Sequence, residues 1–190
     1  MKKFQFILFF FAAASFIFPA SVINNITVHA KKDGSSIEYT LVHPFHTVHG
    51  ISKDVDCNIN YDESTGKITG VSVRADVLSF DSGNSNRDSH MGEVVDALEY
   101  PDVAFLGDSI QYLKNDTLKV TGKLTFHNVT KIIPVKVVEK FSSGETVFNG
   151  GFYISLTEFN IDRPKLLLIP VEDKLTLQFN IVVPKVLKKT

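Results

Sequence analysis

The sequence predicts an all-β domain, a barrel or a sandwich, interrupted by one helix. Three observations predict it. Apolar and polar residues alternate with period two through most of the chain. The cleanest case is residues 118–126, with Leu118, Val120, Gly122, Leu124 and Phe126 on one face and Lys119, Thr121, Lys123 and Thr125 on the other. The alternating runs are short and divided by turn residues, such as Lys32-Asp33-Gly34, Lys114-Asn115-Asp116 and Ser142-Ser143-Gly144. Residues 80–101, FDSGNSNRDSHMGEVVDALEYP, depart from this pattern: Met91, Val94, Val95 and Leu98 recur at i, i+3, i+4 and i+7.

Taken in order, residues 26–31 and 36–42 read as a hairpin around Asp33-Gly34, and residues 45–52, after His43-Pro44, read as irregular. Val55, Cys57 and Ile59 form the next strand, and Val71, Val73, Ala75 and Val77 the one after it. The helix is expected over about residues 86–99, capped by Ser85 and Asp88 and ended by Tyr100-Pro101. Strand character resumes from Val103 to Leu113 and through residues 118–126. Residues 132–141 contain Pro134, which favours an edge or a bulge. Gly150-Gly151 marks a kink, and Leu175, Leu177, Phe179, Ile181 and Val183 make the last strand. That gives about eight strands, with no internal repeat or linker and hence one domain.

A chain of 190 residues with 44% hydrophobic and 22% charged residues is of ordinary globular composition, which argues against disorder. The formal net charge is -1, and loss of a leader containing Lys2 and Lys3 would make it about -3, so nothing favours nucleic acid as a partner. Residues 1–20 read as a signal peptide: Lys2-Lys3, then an apolar run over residues 4–18 that is short for a bilayer span, then small residues around Ala20. The mature domain is then 21–190, in the periplasm or secreted. Cys57 is the one cysteine, which excludes an internal disulfide, and its alternating context reads as buried.

Four segments together resemble the YceI-like family of exported, lipocalin-like proteins. They are VHPFHTVHGISKDVDCNINYD, SVRADVLSFDSGNSNRDSHMGEVVDALEYPDVAF, VTGKLTFHNVTKIIPVKV and FNGGFYISLTEFNID, in the family's order. The resemblance implies an eight-stranded antiparallel barrel, closed at one end, with the helix at its mouth. It implies a long apolar cavity for a polyisoprenoid or another long-chain amphiphile. Two departures stand out: the strand after Tyr100-Pro101 is abbreviated at Phe105-Leu106-Gly107, and the first loop is rich in histidine.

The candidate lining comes from the apolar strand faces. Leu118, Val120, Leu124 and Phe126 belong to one strand. Val135 and Val137, Phe152 and Ile154, and Leu177, Phe179 and Ile181 are their counterparts on later strands. Such faces either enclose a ligand or simply pack together. At the mouth and helix the candidates are Phe80, Arg87, His90, Met91, Val94, Val95 and Leu98. Arg87, Asp88 and His90, near Asp81, read as a fastening of loop and helix rather than a catalytic set, because no serine or cysteine sits in a nucleophile-elbow context. His43, His46 and His49 recur every three residues, which on a strand alternates faces and does not gather ligands.

The function expected is a non-catalytic carrier of an isoprenoid or fatty amphiphile, without cofactor or metal. Transient membrane contact during exchange belongs to it, and a homodimer stays open. The alternatives are a metal-binding or hydrolytic enzyme on the His43/His46/His49 loop, and a packed-barrel interaction module.

Overall fold

A computed structural model describes residues 25–142 and 144–185, so the expected leader lies outside the described residues. In chain order the strands are β1 (Asn25–His29), β2 (Ser36–His43), β3 (His46–Ser52), β4 (Val55–Asp62), β5 (Ile68–Asp76) and β6 (Asp102–Tyr112). They continue as β7 (Thr117–Phe126), β8 (Val129–Ser142), β9 (Glu145–Ser155), β10 (Lys165–Leu166), β11 (Ile169–Pro170) and β12 (Lys174–Pro184). Ten of them form one curled antiparallel sheet in the order β1-β4-β5-β6-β7-β8-β9-β12-β2-β3, and β10-β11 is a separate small hairpin. The fold is the expected all-β barrel, with more strands than the eight expected.

The added strands have local causes. Pro44-Phe45 makes a two-residue turn that sets His43 opposite His46, so residues expected to be irregular become β3. The Asp33-Gly34 turn does form, with Gly34 at φ +90°, but its flanking strands do not pair with each other. β1 pairs with β4, while β2 pairs with β12 and β3. The turn instead carries the chain across the seam of the barrel. Ala30 N–H donates to the Cys57 carbonyl (2.8 Å) and Lys31 N–H to the Val182 carbonyl (2.7 Å), which ties β4 to β12 at one end. At the other end Ile51 and Asp81 exchange backbone hydrogen bonds of 2.9 and 3.0 Å.

One further expectation is corrected and one is met. β6 is not abbreviated: it runs eleven residues, with a bulge between Gly107 and Ser109 absorbing the irregularity. Pro134 lies on a locally open edge, as its type favours. It sits in the half of β8 that β9 leaves unpaired, since β9 pairs with β8 only from Lys136 to Ser142, so its missing N–H breaks no ladder bond on that side.

The helix, α1 (Ser85–Val94), is shorter than expected and is capped by Asn84, whose side chain accepts from Arg87 N–H, rather than by Ser85. It stops because Asp96 takes the left-handed conformation at φ 47°, after which tight turns lead to Tyr100. Leu98 therefore leaves the helical face and is 97% exposed, so it covers nothing inside.

Three apolar clusters fill the walls. One lies toward the closed end around Tyr61, Leu118 and Val183, and one toward the helix end around Val77, Phe126 and Phe159. The third packs Tyr39 against Val48, Ala75 and Phe80, with the Tyr39 and Phe80 ring centroids 5.7 Å apart. The Tyr39 ring lies directly over Gly50, where an added Cβ would stand 2.3 Å from a ring carbon. A rigid ring cannot yield that distance by bending. Gly50→Ala is thus expected to destabilise the fold by about 1–3 kcal/mol. Urea denaturation checks this, and Tyr39→Ala in the same chain should remove most of the difference.

Candidate functional site

The strand faces that alternation turns inward enclose two adjoining hollows. The deeper one, about 120 Å³, lies among Ile59, Val73, Leu118, Val137 and Ile181. Its walls are aliphatic and aromatic, apart from the Cys57 thiol. The outer one, about 520 Å³, lies between the barrel wall, α1 and the β10-β11 hairpin. Val103, Leu124, Phe152 and Leu177 border both, so they form the neck between the chambers.

Of the strand candidates, Leu118, Val120, Val135, Val137, Phe179 and Ile181 border the deep chamber only. Phe126 and Ile154 border the outer chamber only, and Leu124, Phe152 and Leu177 border both. At the mouth, Phe80, Arg87, His90, Met91, Val94 and Val95 border the outer chamber, while Leu98 does not. Glycine on β9 helps to shape the inner wall: the Phe179 ring lies over Gly150, its partner across the ladder, and a Cβ there would come within 2.5 Å of the ring.

The polar segment ahead of α1 is held by its own side chains. Arg87 donates from Nε to the Ser82 hydroxyl (2.8 Å) and from a terminal nitrogen to the Ser82 carbonyl (2.7 Å). The Asp88 carboxylate accepts from the Ser82 hydroxyl and from Ser82 N–H. Asp81 accepts from Gly83 N–H at 2.7 Å, and Gly83 takes φ +76°, a conformation glycine adopts freely. His90 stands apart from this fastening. It is exposed, with Glu93 as its neighbour at 3.5 Å, and faces the mouth.

The histidine loop is divided by the β2–β3 turn. His43 and His46 are a cross-strand pair with ring centroids 5.1 Å apart, and both border the outer chamber. The reading in which all three alternate along one strand is corrected here, because the chain reverses between the first two. His49 lies on the outer face, bonded to Thr40 at 3.0 Å and beside Glu38. His43 is buried: its Nε2 donates to the Ile169 carbonyl (3.0 Å), and its Nδ1 accepts from Phe45 N–H (3.3 Å). Among the described residues, no three His, Cys, Asp or Glu side chains gather as a metal-holding group.

Sequence reasoning missed the third wall of the mouth. Pro164, Lys165, Leu166 and Val171 border the outer chamber, and they belong to a segment without strand alternation. The available signal was its composition, PKLLLIP: three consecutive leucines in a loop between prolines.

A curled antiparallel sheet around an apolar hollow, packed at one end and covered by a helix at the other, defines a lipocalin-like barrel. Residues 29–183 match the family described as the YceI-like domain, and the chain belongs to that family. It is similar to a UPF0312 protein of Pseudomonas putida, 30% identical over 125 residues, which cover 62% of this chain and 65% of that relative. Its fold resembles Burkholderia cenocepacia BcnA with a TM-score of 0.72 and 23% identity, covering 80% of this chain and 98% of that one. It also resembles a polyisoprenoid-binding domain from Saccharophagus degradans implicated in plant cell wall breakdown. There the TM-score is 0.61 and the identity 9%, covering 84% of this chain and 98% of that one. At these identities the two structures speak for the fold.

Cys57, on the deep chamber wall, carries a chemical signature of that interior. Burial pushes its thiol up to about 12, with the Asp56 charge adding to the effect. At about pH 8 a thiol reagent should label the native protein far more slowly than the urea-unfolded chain. A folded value above the unfolded one means the stabilising contribution is complete below the unfolded value. It is lost as pH rises toward the folded one. Unfolding free energy should accordingly fall between about pH 9 and pH 11, less steeply in Cys57→Val.

Proposed function

We propose that this protein is a non-catalytic carrier that holds a long-chain amphiphile, an isoprenoid or fatty compound, with its tail inward. The observation that carries the reading is the pair of adjoining apolar chambers, the outer one bordered by the polar side chains of the mouth. A pocket of several hundred cubic ångströms is the size that small ligands use. Each methylene taken from water contributes about 0.8 kcal/mol, so a long tail supplies most of the affinity without directed bonds. The Saccharophagus neighbour, named for polyisoprenoid binding, supports the same ligand class. The mouth side chains fit a head group: Arg87, His90, His46, Lys165, Asn84 and Asn86 border the outer chamber there, and among the described residues no carboxylate does. Donors without acceptor carboxylates favour a polar or anionic oxygen-rich group.

Delivery from an exported compartment, the periplasm by the leader-like residues 1–20, belongs to this reading. Enzymatic readings gain nothing from the geometry, since Arg87 and Asp88 are committed to Ser82 and His90 is apart from both.

The neck gives the test. Val103→Phe places a ring between the chambers and should weaken a fatty acid of sixteen or more carbons by on the order of a hundredfold, equivalent to three or four methylenes at about 0.8 kcal/mol each. An eight-carbon acid should lose far less. Equal losses for both lengths in a binding titration, or no lipid on solvent extraction and mass spectrometry of the purified protein, would overturn the carrier reading.

A further inference from the structure

The apolar surface of the mouth does not stop at the cavity. β10 and β11 pair Lys165 with Pro170 and Leu166 with Ile169, leaving Leu167 and Leu168 as a two-residue turn. Both turn residues have positive φ, 51° and 66°, the type I′ arrangement that favours Asn-Gly and disfavours leucine. They are also 77% and 90% exposed. Leucine here is unfavourable for the backbone and unfavourable in water, and no packing inside the fold offsets either. A residue choice that breaks a local rule without a gain in the folded state points to a role outside it.

The base of this hairpin is firmly held. Val171 N–H donates to the Pro164 carbonyl (2.9 Å), Glu172 N–H to the Val42 carbonyl (2.7 Å), and Arg163 Nε to the Val171 carbonyl (2.7 Å). His43 joins it to the neighbouring turn, bonding the Ile169 carbonyl while its ring lies 5.3 Å from that of Phe45. Phe45 is 63% exposed. Leu166, Leu167, Leu168, Ile169 and Phe45 thus present one apolar rim on a rigid base, and Leu166 continues it into the outer chamber.

From this rim we infer a docking surface for the face of a lipid bilayer, through which the cavity exchanges its ligand; this rests on the carrier reading above. Five side chains fall well short of the roughly 20–30 residues a side of a stable protein interface. They do suit shallow insertion at the boundary between head groups and acyl chains, where apolar side chains lie below a polar body. Continuity with the chamber lets a long tail pass from bilayer to barrel along apolar surface rather than through water.

The test uses the purified mature protein and vesicles of phosphatidylethanolamine and phosphatidylglycerol at three to one. The parent should co-float with vesicles. The double variant L167N/L168G, which restores the preferred turn residues, should bind them at least tenfold more weakly while its melting temperature stays equal or rises. Loaded with the fluorescent fatty acid cis-parinaric acid, it should retain the probe in solution like the parent but transfer it to vesicles at least tenfold more slowly. A variant that floats and transfers like the parent overturns the inference. So does a parent that does not float, or a parent dimer that the variant dissolves, which would make a second copy the occupant. Flotation with no parinaric acid binding would support docking and count against the carrier reading alone.

Discussion

A hollow barrel depends on closing its seam, and here backbone hydrogen bonds at both ends do so, from Ala30 and Lys31 at one and between Ile51 and Asp81 at the other. Ala30 and Lys31 reach from β1 to the carbonyls of Cys57 and Val182, strands that are otherwise separated by most of the sheet. The buried Ser35 hydroxyl completes the junction by accepting from Val182 N–H at 3.1 Å. Without these links β1 and β3, the two end strands of the ten-stranded sheet, would be open edges beside an apolar interior, a template for pairing with other chains. With them, the sheet can surround space that its own side chains leave unfilled. Every other feature of the site, the neck, the chambers and the mouth, presupposes that closure.

Much of this was legible because a strand's period is a property of the backbone. Alternation placed Leu118, Val120 and Leu124 on one face, and that face meets the chambers. The seam was not legible. Asp33-Gly34 is as good a hairpin turn as any, and local sequence does not say that its flanking strands pair with β4 and β12 instead of with each other. β3 was missed for a related reason: Pro44 read as a break, whereas the two-residue turn it begins starts a new strand. The helix boundary failed, ending at Val94 instead of about residue 99, because i, i+4 spacing at Leu98 continues on paper past the left-handed turn at Asp96.

Hollowness itself is a balance that no single residue type announces. It arises where glycine stands opposite an aromatic ring, as Gly150 does opposite Phe179 and Gly50 beneath Tyr39. The ring lies flat against the wall over the missing Cβ instead of standing into the lumen. The sequence contains 16 Phe and no Trp, so large rings are abundant, and their disposition decides how much of the interior stays open. A pattern of apolar alternation is common to a packed and an open barrel. The difference lies in these cross-strand pairs, which only the register reveals.

Polarity is then graded along one axis. The deep chamber has an aliphatic and aromatic wall with a thiol whose ionisation burial suppresses, and a charged group there would lose its hydration with nothing in return. The mouth has Arg87, His90 and Lys165. Arg87 keeps its place through Ser82, whose hydroxyl it shares with the Asp88 carboxylate, and no direct ion pair to it occurs among the described residues. On the carrier reading proposed above, an amphiphile entering tail first would find each segment of its length matched: methylenes against the chambers, head group against donors. The reverse orientation would strip a polar group of water in the deep chamber and leave an apolar tail among solvated side chains. On that reading, orientation would follow from desolvation, without a directed bond inside the barrel.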